Sequence, residues 1–200
     1  MGKIIFALLL SIGLQICAAA QNTPQLIVNV YDDVGVPQST LARAEAAAED
    51  VYRKSDITIV WNHCTPAPQG GCMVADDIPA FSMRIVAHSR DLPSQDFGVA
   101  FVGEDGVGQQ ADVFYPAIEN FAGGSSATAS LLGHVIAHEL GHLLLGLGAH
   151  STAGIMKGHW QAAELRRINA GQLLFDRRQS ERIRDRLKSV YMPERIIAQR

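Results

Sequence analysis

Apolar positions along the chain follow two different periods, and the change of period separates strands from helices. Gln25 to Tyr31 alternates, with Leu26, Val28 and Val30 on one side and β-branched residues throughout, which predicts a strand. Ser39 to Lys54 opens with Ser/Thr and continues alanine-rich, the pattern of a capped helix. Ile57–Trp61, Ser82–His88, Gly98–Gly103 and the short Ala111–Tyr115 read as four further strands. Between them lie a Pro/Gly-rich loop from Cys64 to about Pro79 and a glycine-rich turn over Glu104–Gln110. From Ser125 to Leu145 the period becomes helical, with Leu131, Leu132, Val135, Ile136, Leu140, Leu143 and Leu144 recurring three and four apart. Gly146 and Gly148 break that helix, and a loop runs to about His159. Gln161–Ala170 and Asp176–Val190 read as two C-terminal helices parted near Gly171. Strand–helix–strand, then strands, then helices predicts an α+β fold, a mixed twisted sheet with helices packed against it. No repeat, low-complexity run or linker divides residues 21–200, so a single domain is expected there.

The first 20 residues carry a different pattern. Lys3 precedes the apolar run Ile4 to Ile16 and the small-residue end Cys17-Ala18-Ala19-Ala20, which reads as a secretory signal peptide cleaved after Ala20. The run is short for a membrane span, and no later segment is apolar enough for stable membrane insertion. A lipid anchor at Cys17 is the weaker reading, since Gln15 and Ile16 suit that processing poorly. The expected location is therefore secreted or periplasmic. In such a compartment Cys64 and Cys72 are expected to form one disulfide around a turn-rich Thr-Pro-Ala-Pro-Gln-Gly-Gly, with two free thiols as the alternative. The formal net charge of −3 gives no basic surface for nucleic acid or for a membrane.

The candidate chemistry sits on the long helix, at His138-Glu139-Leu140-Gly141-His142. Histidines at i and i+4 project from one helix face and can reach one metal ion, while the glutamate beside the first is placed to act on water. A hydrolytic zinc site takes three protein ligands and leaves one position for water. His150, the first imidazole after the glycine break, is the leading third ligand; His134 and His159 are the rivals. His134 shares the helix face, which gives poor tetrahedral geometry, and His159 reads better as a surface or neighbouring residue. His63 and His88, at strand ends, read as ordinary polar residues.

Downstream, Ser151-Thr152-Ala153-Gly154-Ile155-Met156 completes a pattern that resembles the metzincin clan of zinc metallopeptidases. Those proteins combine H-E-x-x-H-x-x-G-x-x-H with a tight turn that sets a methionine beneath the metal. The resemblance implies Met156 as that methionine, one catalytic zinc on His138, His142 and His150, and Glu139 as general base. The specific residues run from His138 to Met156, and the order of elements before them also looks like a metzincin upper subdomain. The family places its glycine three residues, and its third ligand six, after the second histidine; here Gly146 stands four and His150 eight after His142. No tyrosine follows Met156 closely, as it does in some members. The resemblance also implies a strand lining the cleft and pairing with an extended substrate, with Phe97–Val102 or Ala111–Tyr115 as candidates. Only Gln21 to Pro24 separate the leader from the first strand, so no inhibitory propeptide is expected.

The leading expectation is an exported zinc-dependent endopeptidase acting on peptide or protein substrates, with neither nucleic acid nor membrane as partner. The alternative is a secreted domain of the same fold that binds metal or peptide without turnover.

Overall fold

In a computed structural model of the chain, residues 23–65, 72, 80–88 and 96–191 are described. The expected leader over residues 1–20, and most of the expected loop from Cys64 to Pro79, lie outside them.

The five strands form one mixed sheet. The alternation of β1 (Gln25–Asp32) sends Leu26, Val28 and Val30 into the core on one face. α1 (Gln38–Arg53) leads from β1 to β2 (Thr58–Cys64), which lies parallel to β1. β3 (Phe81–Val86) pairs with the other side of β1, also parallel. β4 (Gly98–Phe101) and β5 (Gln110–Phe114) form a hairpin whose second strand joins β3 in parallel. The sheet order is thus β2-β1-β3-β5-β4, with β4 antiparallel to its neighbour at one edge. β5 is paired on both sides, so the segment Ala111–Tyr115 is excluded as a substrate-pairing strand. Of the two candidates, the one containing β4 keeps a free edge among the described residues.

Three local expectations are corrected. The serine and threonine at the start of α1 do not cap it: the helix begins at Gln38, and the carbonyl of Pro37 accepts from the amides of Thr40 and Leu41. Upstream, the Asp32 carboxylate accepts from the amides of Val34, Gly35 and Val36 and shapes the approach. Tyr115 is not the end of β5 but the start of an unpredicted helix, α2 (Tyr115–Ala122). The signals for it were present, a proline in the first turn (Pro116) and a left-handed glycine, Gly123, at the end. Finally, β3 stops at Val86, two residues short of His88.

α3 (Ser125–Leu145) is the centre of the molecule. It packs on α1, the sheet, α2 and α5, which explains why it is apolar nearly all round rather than striped. The approach to α1 is close: a Cβ at Gly133 would stand 2.2 Å from the carbonyl oxygen of Ala44. α4 (Ala162–Asn169) and α5 (Arg177–Tyr191) follow the loop after α3. A disulfide joins Cys64 to Cys72, with their Cα atoms 4.7 Å apart. No helix among the described residues is long and apolar enough to cross a membrane.

Candidate metal centre

His138 and His142 leave α3 one turn apart on the same face, as their spacing requires. The helix continues for three residues beyond His142 and ends at Gly146, whose φ of 78° is open to glycine and strained for other residues. Gly148, at φ 69°, makes a second reversal and the chain returns with His150. The longer connection is therefore absorbed by helix extension and two left-handed glycines. Nε2 of His142 stands 3.0 Å from Nε2 of His138 and 3.1 Å from Nε2 of His150. Two nitrogens bound to one tetrahedral zinc at its usual bond length lie about 3.3 Å apart. The three imidazoles, whose ligand nitrogens, one from each ring, lie within 4.8 Å of one another, thus form a donor set that suits zinc.

The surroundings prepare these rings as ligands. Nδ1 of His138 donates to the carbonyl of Ile155 at 2.6 Å, which leaves its Nε2 lone pair free for a metal. Burial pushes the His138 imidazole down to about 4, opposed in part by that hydrogen bond. Burial, followed by its two imidazole neighbours, takes His142 down to about 3. Both are neutral near pH 7, the form that binds metal.

Glu139 points to the same cleft and is 5% exposed. Burial raises its carboxyl to about 8, with the Asp96 carboxylate adding to the effect. Gly98, the first residue of β4, makes room for it: a Cβ there would stand 2.8 Å from both Cγ and Oε1 of Glu139, and 2.9 Å from the carbonyl oxygen of Asp112. Neither Gly98 nor Asp96 carries a sequence signal, because each acts through a neighbour distant in the chain.

Below the imidazoles runs a tight turn. The amide of Ser151 donates to the carbonyl of Met156 at 2.8 Å, and Gly154 adopts φ 78°. Met156 is fully buried, and its Sδ lies 2.7 Å from where a Cβ on Gly141 would stand. The glycine inside the motif is thus the space that the methionine occupies. Phe175 shares it, 2.9 Å from the same point.

The other histidines are elsewhere. Nδ1 of His134 is 2.8 Å from the carbonyl of Ser130, and His134 is outside the three-imidazole cluster. His159 lines the cleft without joining the cluster. His63 stands 3.3 Å from Glu45 on the opposite edge strand, β2, and His88 lies just beyond β3. The cleft above the three imidazoles has a volume of about 1080 Å³, bounded by β4 on one side and by the segment around Trp160 on the other. The rings of Phe97 and Phe121 pack tilted at 56°, centroids 5.0 Å apart, along its rim.

These shifts make the stability of the metal-free protein depend on pH. Between about 4 and 6.5 the unfolded chain carries a proton on His138 that the folded chain does not, so unfolding takes up protons and stability falls on acidification. For His138 the whole span corresponds to about 3 kcal/mol. Glu139 works in the opposite sense: the folded chain keeps its proton up to about 8, the unfolded chain loses it near 4.5, and stability falls as pH rises between them. With two histidines against one glutamate below pH 6.5 and the glutamate alone above it, the contribution of these three groups to metal-free stability should be greatest near pH 6.5. Urea midpoints at pH 4.5, 6.5 and 8 in excess chelator measure this, and a midpoint at pH 4.5 equal to that at 6.5 contradicts it.

No protein-family model and no curated protein matches the sequence. Solved structures do match. Archaemetzincin from Methanopyrus kandleri superposes with a TM-score of 0.54 at 16% identity, over 84% of this chain and 99% of that one. At that identity the likeness speaks for the fold, and it is this fold, a mixed five-stranded sheet with α3 beneath it, that carries the three imidazoles: the chain has the archaemetzincin fold.

Proposed function

We propose that the chain is an exported zinc-dependent metallopeptidase that cleaves within polypeptides, with one zinc on His138, His142 and His150. The observation that carries the reading is the convergence of three Nε2 atoms beside a buried carboxyl, at the foot of a cleft bordered by the strand at one edge of the sheet among the described residues. Zinc in such a site supplies a Lewis acid and lowers the pKa of water to about 7.

The chain's own groups do the rest. The outer edge of β4 offers amides and carbonyls to an extended peptide, which brings a scissile bond over Glu139. Glu139 takes a proton from the attacking water and gives it to the departing amine nitrogen. Its burial favours the protonated form, which suits the second of these steps. Met156 and the Ile155 carbonyl hold the floor and His138 from below. The leader pattern over residues 1–20 and the Cys64–Cys72 disulfide support export.

Two measurements on the purified chain test this reading. Elemental analysis is expected to give about one zinc per molecule. An unfolded protein substrate is expected to be cut internally, and chelator is expected to stop the cutting. A well-folded chain that takes up no zinc would end the proposal. Zinc uptake without hydrolysis would leave a binding domain on the same fold.

A further inference from the structure

The stretch after the Met156 turn is anchored at both ends by one carboxylate. Glu164, 6% exposed, accepts from Nζ of Lys157 at 2.8 Å and from the amide of Gln161 at 2.9 Å. Lys157 is also bridged to Ser151, next to His150. Within the five residues so held, two press against imidazoles of the cluster. Gly158 lies so close to His150 that a Cβ on it would stand 3.1 Å from Nδ1. Trp160 stands edge-on to His138, with ring centroids 5.5 Å apart and planes at 86°. Its indole N–H is buried and has no acceptor among the described residues, so no hydrogen bond of its own holds the ring there.

We propose that Lys157–Gln161 is a brace that sets the pose of two imidazoles, with Trp160 the positioning residue for His138. The physical need is specific. The hydrogen bond from Nδ1 to the Ile155 carbonyl fixes the tautomer of His138 and anchors one atom of the ring, but one bond does not by itself set the tilt of the ring plane. An indole standing perpendicular to the imidazole limits that tilt and keeps Nε2 aimed at the point shared with His142 and His150. Glu164 acts at longer range, by keeping Lys157 and Gln161, and hence everything between them, in place.

The inference rests on the reading of the three imidazoles as a zinc centre, and the test separates the two. Zinc affinity is measured by chelator competition, and the visible spectrum of the Co(II)-loaded protein reports ligand geometry without reference to turnover. Trp160→Ala is expected to weaken zinc about tenfold or more, in the range of groups that orient a metal ligand, and to shift the cobalt bands. Trp160→Phe, which keeps an aromatic wall, should recover most of both. Trp61→Phe is the control: that indole donates to Glu49 at 2.7 Å on the opposite edge strand, and its loss should leave zinc affinity as in the native chain. Circular dichroism of each metal-free variant checks the fold. Glu164→Gln reads the brace from its other end, and there too weaker zinc is expected; it decides the matter if Trp160→Ala does not fold. Zinc uptake by the native chain, with affinity and cobalt spectrum unchanged in the folded variants, overturns the brace alone. Failure of the native chain to take up zinc overturns the brace and the peptidase together.

Discussion

Replacing Glu139 by glutamine should leave zinc bound and lower kcat by about 10²–10⁴-fold, the usual contribution of a positioned general acid–base. The substitution conserves shape, and the pocket beneath Gly98 was built around a side chain of that shape. The amide can neither take a proton from water nor return one to an amine, so the loss falls on turnover rather than on metal binding. A second readout guards against a trivial cause. In the metal-free native chain the buried carboxyl resists ionisation up to about 8, so its ionisation erodes stability as pH rises. Glutamine removes that penalty, and the variant should be more stable than the native chain at pH 8 without metal. A variant that is at least as stable, binds zinc and hydrolyses at the native rate would strip Glu139 of the role.

Removing the third imidazole should have the largest effect on the metal. His150→Ala leaves two nitrogens on the helix and one corner of the donor set vacant, and should weaken zinc by more than about 100-fold, beyond what loss of an orienting group costs. Its rivals predict the opposite ranking. His134→Ala deletes a ring whose Nδ1 faces the Ser130 carbonyl inside α3, and His159→Ala deletes a cleft-wall residue, so neither should alter zinc affinity appreciably. Chelator competition on the three variants side by side decides it. A greater loss with His134→Ala or His159→Ala than with His150→Ala would move the third ligand.

What was legible in the sequence followed from local periodicity. The alternation of Gln25–Tyr31 announces β1 because Leu26, Val28 and Val30 share the buried face of the sheet, and α3 is readable over its full length because its apolar residues recur at helical spacing. His138 and His142 were readable as a pair for the same reason: their relation is set by the helix itself. α2 is hidden in the sequence because the strand pattern of Ala111–Tyr115 runs into its first residue, and Pro116 and Gly123, its boundary signals, are single residues beside that pattern. The serine and threonine near the start of α1 carry no cap, because Pro37 and the Asp32 carboxylate already organise that turn.

Long-range placement could not be read. Which of the two candidate strands lies at the edge among the described residues depends on sheet order, and sheet order is decided by which strands find partners, not by their own composition. Gly98 and Trp160 look like ordinary residues until β4 is laid beside Glu139 and the post-turn stretch beside His138. Gly141 looks like a filler between ligands until Met156 is seen to occupy its missing side chain.

By itself, then, the sequence determined the helix, the spacing of its two histidines, the glycines that break it and the candidate base, since all of these are properties of neighbours along one chain. Only the tertiary structure decided that His150 returns to within 3.1 Å of His142, that β4 rather than β5 borders the cleft, and that Glu139 lies buried under Gly98. The physical reason is one of range. Backbone hydrogen bonding and side-chain period act over a few residues, whereas the metal centre is closed by packing between segments that approach each other only when the core forms.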